Sequence, residues 1–287
     1  MASGGSPRDD RAARRLTPLG RESVAAGVVH LVGAGPGDPE LLTLRALKLL
    51  QSAEVVVHDR LTPQAILDLA NPSARLIDVG KRKSRHTLPQ DGINQLLVAL
   101  AQDGYRVVRL KGGDPFLFGR GGEELLALRA AGVEAHVVPG VSAALAAAAS
   151  AGAPLTHRGL AQSVTFVTGH AAPKADGTLA EPDLDWTALA RANHTVAVYM
   201  GLTAAPAIAA RLIGAGRVPS TPVLLVENAS LPGEQRILTH LGGLPAAAAG
   251  LDGPALLLIG EAAALADVRS EDVQQLAASY AAGRRSA

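Results

Sequence analysis

The stretch VVRLKGGDPFLFGRGGEE, residues 107–124, decides how the rest of the chain is read. Val107 to Leu110 form a short apolar run that reads as a buried strand. Lys111-Gly112-Gly113-Asp114-Pro115 ends it abruptly. After Phe116-Leu117-Phe118 and Gly119-Arg120-Gly121-Gly122, the acids Glu123 and Glu124 open a helix, where carboxylates complement the positive end of the helix dipole. The stretch holds five glycines, and without a Cβ each lets the backbone approach another group closely. Asp114 stands at a strand end, where open α/β sheets place ligand-contacting carboxylates. Two of the three phenylalanines of the protein are also here. A lone Gly-Gly-Asp reads as a tight turn; this run is longer and more specific than a turn needs.

Composition bounds the answer. The 287 residues suit two modest domains, with enough chain to bury sizeable cores. Hydrophobic residues make up 48% and aromatic ones 2%, so those cores must be built from Ala, Leu and Val. A net charge of +1 gives no reason to invoke nucleic acid or a membrane surface as partner. Cysteine is absent, which excludes disulfides, thiolate metal sites and cysteine nucleophiles and fits a reducing cytoplasm, the expected location. The alanine-rich stretch 143–149 is too short to span a bilayer. Arg14-Arg15 resembles a twin-arginine signal, but Gly20-Arg21-Glu22 occupies the place of its apolar segment. Residues 1–26 are expected to be a polar, poorly ordered extension, and residues 281–287 a frayed tail.

From residue 28 onward, short apolar strands alternate with helical patterns. A strand over 28–32 leads into Gly33-Ala34-Gly35-Pro36-Gly37-Asp38-Pro39. A dinucleotide fingerprint fails there: Asp38 replaces its third glycine, and Pro36 removes an N–H from the phosphate cradle. An acid at that place repels pyrophosphate and suits a neutral or cationic ligand. Asp38 instead predicts an N-cap for one helix from Pro39 to about Ser52, with Leu42, Ala46, Leu49 and Leu50 on one face. A second strand, 55–58, ends at Asp59-Arg60. A helix (63 to about 69) and a strand (76–79) lead to the charged run Gly80-Lys81-Arg82-Lys83-Ser84-Arg85-His86. Such a run is usually a solvated loop, but this one follows a strand end as Asp59 does, so both can face one cleft. With a helix over 90–101 before the central strand, the pattern argues a parallel α/β sheet.

Val137-Val138-Pro139-Gly140-Val141-Ser142-Ala143-Ala144 reads as the junction between two units, residues 27–140 and 141–280. Its Gly-Val-Ser-Ala-Ala misses the final glycine of a nucleophile elbow, so a serine nucleophile is discounted. The second unit has strands over 163–168, 195–200, 222–226, 236–239 (an edge) and 255–259, and a loop over 171–185. More strands per helix predict a mixed sheet. The eight histidines show no ligand spacing, and no metal is expected.

In order, VGAGPGDPELLTL, VVVHDRL, VGKR, VVRLKGGDPFLFGRGGEE, VVPGVSAA, PLTHRG, SVTFVTGH, VAVYMG and LLVENAS resemble the signatures of the uroporphyrinogen-III C-methyltransferases, within the tetrapyrrole and precorrin methyltransferases. The resemblance runs from Val28 to about Ala262. It implies two α/β domains with the active-site cleft between them, usually as a homodimer, binding S-adenosylmethionine. The implied reaction is methylation of uroporphyrinogen III at C2 and C7 to precorrin-2, the branch point towards sirohaem and cobalamin. Carried over by motif, the donor would meet Pro36, Gly112, Gly113, Asp114, Leu117, Ser142, Ala143, Met200 and Ala229. Family members often have Ile, Thr and Gly where this chain has Leu117, Ser142 and Ala229. Asp59 would be the proton acceptor and Lys81 the proton donor.

The residues support that chemistry independently. A polycarboxylate tetrapyrrole needs cations, and arginine binds carboxylates in bidentate fashion. Arg60, Arg82, Arg85, Arg120 and Arg158 all fall in the turns that the motifs bring to one cleft. A sulfonium methyl is already electrophilic, so alignment with a pyrrole carbon dominates, and a strand-end carboxylate can accept the proton that then leaves. Four alternatives are weighed: a later precorrin C-methyltransferase with the same fold and donor, a relative acting on protein or RNA, a NAD-dependent oxidoreductase, which Pro36 and Asp38 oppose, and a non-catalytic tetrapyrrole-binding protein, which would not need the whole set of donor-site turns.

Overall fold

The computed structural model describes residues 27–80, 88–170 and 181–268. Expectations for residues 1–26, for the loop 171–180, for the tail 281–287, and for Lys81, Arg82 and Arg85 fall outside the described residues.

The first part is a parallel sheet wound on both faces. In chain order its elements are β1 (Val28–Gly33), α1 (Leu44–Ser52), β2 (Val55–His58), α2 (Gln64–Leu67), β3 (Arg75–Asp78), α3 (Gln90–Gln102), β4 (Arg106–Lys111), α4 (Gly121–Ala130) and β5 (Glu134–Val138). The strand order is β3-β2-β4-β1-β5, every pair parallel. Side-chain alternation sends Val29, Leu31, Val55, Val57 and Val107 towards α3 and α4, where Leu97, Leu100, Leu125 and Leu128 meet them. Val32, Ala34, Val56, Val108 and Leu110 face α1 and α2 through Ala46, Leu50, Ile66 and Leu67. The helices that follow β1 and β4 therefore lie on opposite faces. These neighbouring strands form a topological switch point, and a crevice opens beyond their carboxyl ends.

The helix expected from Pro39 is in fact two pieces. Asp38 does cap, its Oδ1 accepting from the Glu40 N–H at 2.9 Å, but over a 3-10 turn of Pro39–Leu41 only. Leu42 and Thr43 are extended, and Thr43 caps α1 by accepting from the Ala46 N–H at 3.1 Å. Two capping residues five positions apart compete, and the burial of Ala46 and Leu50 selects the second for the longer helix.

The second part comprises α5 (Ala143–Ser150), β6 (Ser163–Thr168), α6 (Trp186–Leu189), β7 (His194–Tyr199), α7 (Ala205–Gly214), β8 (Pro222–Glu227), β9 (Gln235–His240), α8 (Leu244–Ala248) and β10 (Ala255–Ile259). The order β6-β7-β10-β8-β9 is mixed: β6 and β7 are parallel, and the other pairs are antiparallel. The late strand β10 is central and wholly buried, while β9 is the edge. Helices α6, α7 and α8 cover one face. The other face takes α5, whose buried Ala144, Ala147 and Ala148 let it lie close to Ala197, Leu224 and Leu258. With so few aromatics, small-residue packing of this kind fills the core. Among the described residues no helix is long and apolar enough to cross a membrane.

Candidate active site

Three strand ends meet backbone to backbone. A Cβ on Gly33 at the end of β1 would stand 2.5 Å from the Gly140 N and 2.6 Å from the Gly113 O, so only glycine fits. Gly35 and Gly113 then exchange hydrogen bonds, Gly113 N–H to Gly35 O at 2.7 Å and Gly35 N–H to Gly113 O at 3.2 Å. These bonds stitch the loops after β1 and β4 across the switch point. The crevice floor is thus bare backbone, which is what a close-lying ligand requires.

Asp114 ties this floor together. Its Oδ1 accepts from the Phe116 N–H at 2.8 Å and its Oδ2 from the Gly140 N–H at 3.0 Å. The carboxylate expected to orient the donor therefore also braces two loops. Gly112 lies against Leu61 of the loop after β2, and Gly113 faces the Ala143 N. Pro36, half-buried, sits beside the bridged Gly35. Leu117 follows in the turn whose N–H bonds the Asp114 carbonyl at 3.3 Å.

Ser142 precedes α5 but does not cap it through its side chain. Its hydroxyl bonds the Tyr199 hydroxyl instead, and that phenol oxygen also accepts from the Ala144 N–H at 3.1 Å. Burial pushes the Tyr199 phenol above its ordinary pKa. Phe118 from the first sheet's loop packs on Tyr199 with ring centroids 5.0 Å apart, and Phe166 meets it edge-on at 6.2 Å. Met200 follows, half-exposed, with φ 52°. Phe118, Arg120, Met200, Asn228 and Ser230 all have positive φ, a costly backbone state gathered in the loops at these strand ends. Ala229 is buried between two of them, and Leu231 of the same loop touches Gly37.

Asp59 lies at the end of β2, its side chain 27% exposed. Its Oδ1 accepts from the Leu61 N–H at 3.1 Å, and its Oδ2 lies 3.9 Å from Arg109 Nη2. Arg109, Lys111 and Glu124 are all buried. Glu124 Oε1 accepts from Arg109 Nε at 3.1 Å and Lys111 Nζ at 3.0 Å. Burial, then the Arg109 charge, pulls the Lys111 pKa down. Sequence reading passed over this cluster, taking 107–110 as a short buried strand and Glu124 as an acid that complements the helix dipole. The signal was there: a cation inside a buried strand demands a buried counter-charge. Tyr199 was missed too, though tyrosines number only three.

The expected substrate arginines are not gathered alike. Arg60 is exposed beside Asp59, its backbone packed on Gly80 after β3. The fork of Arg120 is taken by Glu123, at 2.8 and 2.7 Å, an exposed pair of small net worth that a carboxylate ligand can displace. Arg158 is exposed in the turn closed by the His157–Ala161 bridge and makes no ion pair with the described residues. Among the described residues no cluster of ligands could hold a metal ion.

The sequence profile of the Tetrapyrrole (Corrin/Porphyrin) Methylases matches residues 28–245, which take in the whole first sheet and β6 to β9 of the second. The chain belongs to that family. The chain is 52% identical to the siroheme synthase of Chromobacterium violaceum over 244 residues, covering 84% of the chain and 51% of the relative. With the siroheme synthase of Methylococcus capsulatus it shares 52% over 258 residues, covering 89% and 52%. The chain thus spans about half the length of these relatives. The solved uroporphyrin-III C-methyltransferase of Thermus thermophilus complexed with S-adenyl homocysteine matches with TM-score 0.70 and 44% identity, covering 82% of this chain and 98% of that one. A cobalt precorrin-4 methyltransferase matches with TM-score 0.71 and 32% identity, covering 82% and 95%.

Proposed function

We propose that this methylase transfers methyl groups from S-adenosylmethionine to C2 and C7 of uroporphyrinogen III, giving precorrin-2 for sirohaem or cobalamin synthesis. The observation that carries the donor assignment is the side-chain-free crevice of Gly33, Gly113 and Gly140, braced by Asp114. The residues fit the donor: Pro36, Leu117, Ala143, Met200 and Ala229 offer apolar contact, Gly112 and Gly113 offer backbone, and Asp114 is an acid suited to a cationic ligand. When bound, the sulfonium supplies an electrophilic methyl. The chain's part is to hold the acceptor carbon in line, keep water away and receive one proton per transfer. Asp59, partly exposed at a strand end, is assigned the proton acceptor, and Lys81 the donor. Arg60, Arg82, Arg85, Arg120 and Arg158 are assigned to the substrate carboxylates. Fold alone does not choose the substrate, since TM-scores of 0.70 and 0.71 are equivalent; the higher identity to the uroporphyrin enzyme favours the earlier substrate over a precorrin.

The division into residues 27–140 and 141–280, a homodimer and a cytoplasmic location belong to the same proposal. Packing of α5 on the second sheet supports the division, and sedimentation measures the oligomer. Incubation with uroporphyrinogen III and methyl-labelled donor, followed by mass analysis, tests the activity. Two methyl additions are expected. Methylation of a later precorrin with none of uroporphyrinogen III would overturn the assignment.

A further inference from the structure

Asp59, Arg109 and Lys111 share one sheet face. The register pairs Val57 with Arg109, so Asp59, two residues on, projects to the same side as Val57, towards α3 and α4. From α4, Glu124 comes up beneath the two cations. The Arg109 guanidinium is divided between two acids: Nε to the buried Glu124, and Nη2 towards the partly exposed Asp59. Its Nη1 donates to the carbonyls of Leu110 at 3.0 Å and Val57 at 3.4 Å, so Nε and Nη1 anchor the guanidinium while Nη2 faces Asp59 as an ion pair at 3.9 Å, longer than a hydrogen bond. An arginine that merely neutralised Glu124 would have no need of Asp59, because Lys111 already bonds the same Oε1. Asp59 is in turn held on one oxygen by the Leu61 N–H, with Arg109 facing the other.

We infer that Arg109 is a positioning residue that fixes the Asp59 carboxylate at the cleft, with Glu124 and Lys111 as the buried anchor that fixes Arg109. This rests on the proposed role of Asp59 as proton acceptor. A guanidinium anchored on a rigid strand through its other nitrogens fixes where its charge lies against Asp59, which a flexible lysine ammonium would not.

The test is a double-mutant cycle on the full chain, read by single-turnover methyl transfer at saturating donor and substrate, with donor affinity measured by calorimetry. Arg109→Gln should slow transfer by about 10²-fold, the scale of losing alignment, while donor affinity stays within about threefold, roughly 0.6 kcal/mol. In an Asp59→Asn background the same change should cost almost nothing, because the carboxylate it positions is gone. Arg109→Lys should recover part of the rate. Losses that multiply in the double mutant would show that Arg109 serves the core alone and overturn the inference. A full-rate Asp59→Asn enzyme would instead sink the proton-acceptor reading itself. If Arg109→Gln does not fold, the cycle is run with Arg109→Lys; failure of both to fold makes the pair a folding element and overturns the positioning role.

Discussion

At the scale of single residues, the cleft is built from side chains that each do two things. Asp114 braces the loops after β4 and β5 and is assigned to the donor, so Asp114→Ala should weaken donor binding by roughly 1.5–3 kcal/mol, the worth of a hydrogen bond to a charged group. Its own loop bonds make a lower melting temperature part of the expected result. Unchanged calorimetric affinity in a folded variant would remove Asp114 from the donor site. Asp59→Asn should slow single-turnover transfer by about 10²–10⁴-fold with donor affinity intact, since the amide keeps the Leu61 bond but cannot take a proton. Tyr199 gives a pH signature. Its folded pKa is raised above the unfolded one, so its contribution to stability is present below the ordinary tyrosine pKa and is lost as pH rises through the folded value. Ultraviolet titration should show one tyrosine ionising late, and Tyr199→Phe should abolish that late step; its persistence would mean another tyrosine carries it.

At the scale of elements, the floor of the site is a matter of backbone packing. Gly33→Ala forces the Gly113 and Gly140 backbones apart, and overpacking of this kind costs about 1–3 kcal/mol. Because those backbones form the crevice, denaturant midpoint and donor affinity should fall together. A stable Gly33→Ala variant with normal affinity would show that the three strand ends tolerate separation. Leu128→Ala on α4, fully buried against the first sheet, should cost about 2–5 kcal/mol and leave the residual enzyme with ordinary donor affinity. The contrast separates a core position from a site position on neighbouring elements. Helix boundaries show why local signals were only partly legible. Asp38 is a sound N-cap by sequence, and it does cap, yet α1 begins at Leu44 because tertiary burial of Ala46 and Leu50 outweighs a single capping bond.

At the scale of the molecule, the contacts between the two sheets' loops among the described residues include Phe118 on Tyr199 and Gly37 against Leu231. A ligand assigned to both sides should stabilise them as one unit. S-adenosylhomocysteine at a hundredfold its Kd should add about 2.7 kcal/mol, raising a single melting transition. Phe118→Ala should reduce that gain, because the aromatic contact links the first sheet's loop to β7. An undiminished gain in the variant would show that this contact plays no part in coupling.

Sequence alone determined the alternation of strands and helices, the mixed second sheet, the edge position of β9 and the glycine-rich strand ends, because periodicity and turn chemistry are local. It also marked Asp59 and Asp114 as strand-end acids. Only the tertiary structure decided that β10 lies at the centre of its sheet, that Ser142 is held by Tyr199, and that Arg109 and Lys111 share a buried Glu124. Those facts depend on which strands become neighbours. A charge reads as surface in a sequence until its buried partner, brought in by another element, is known.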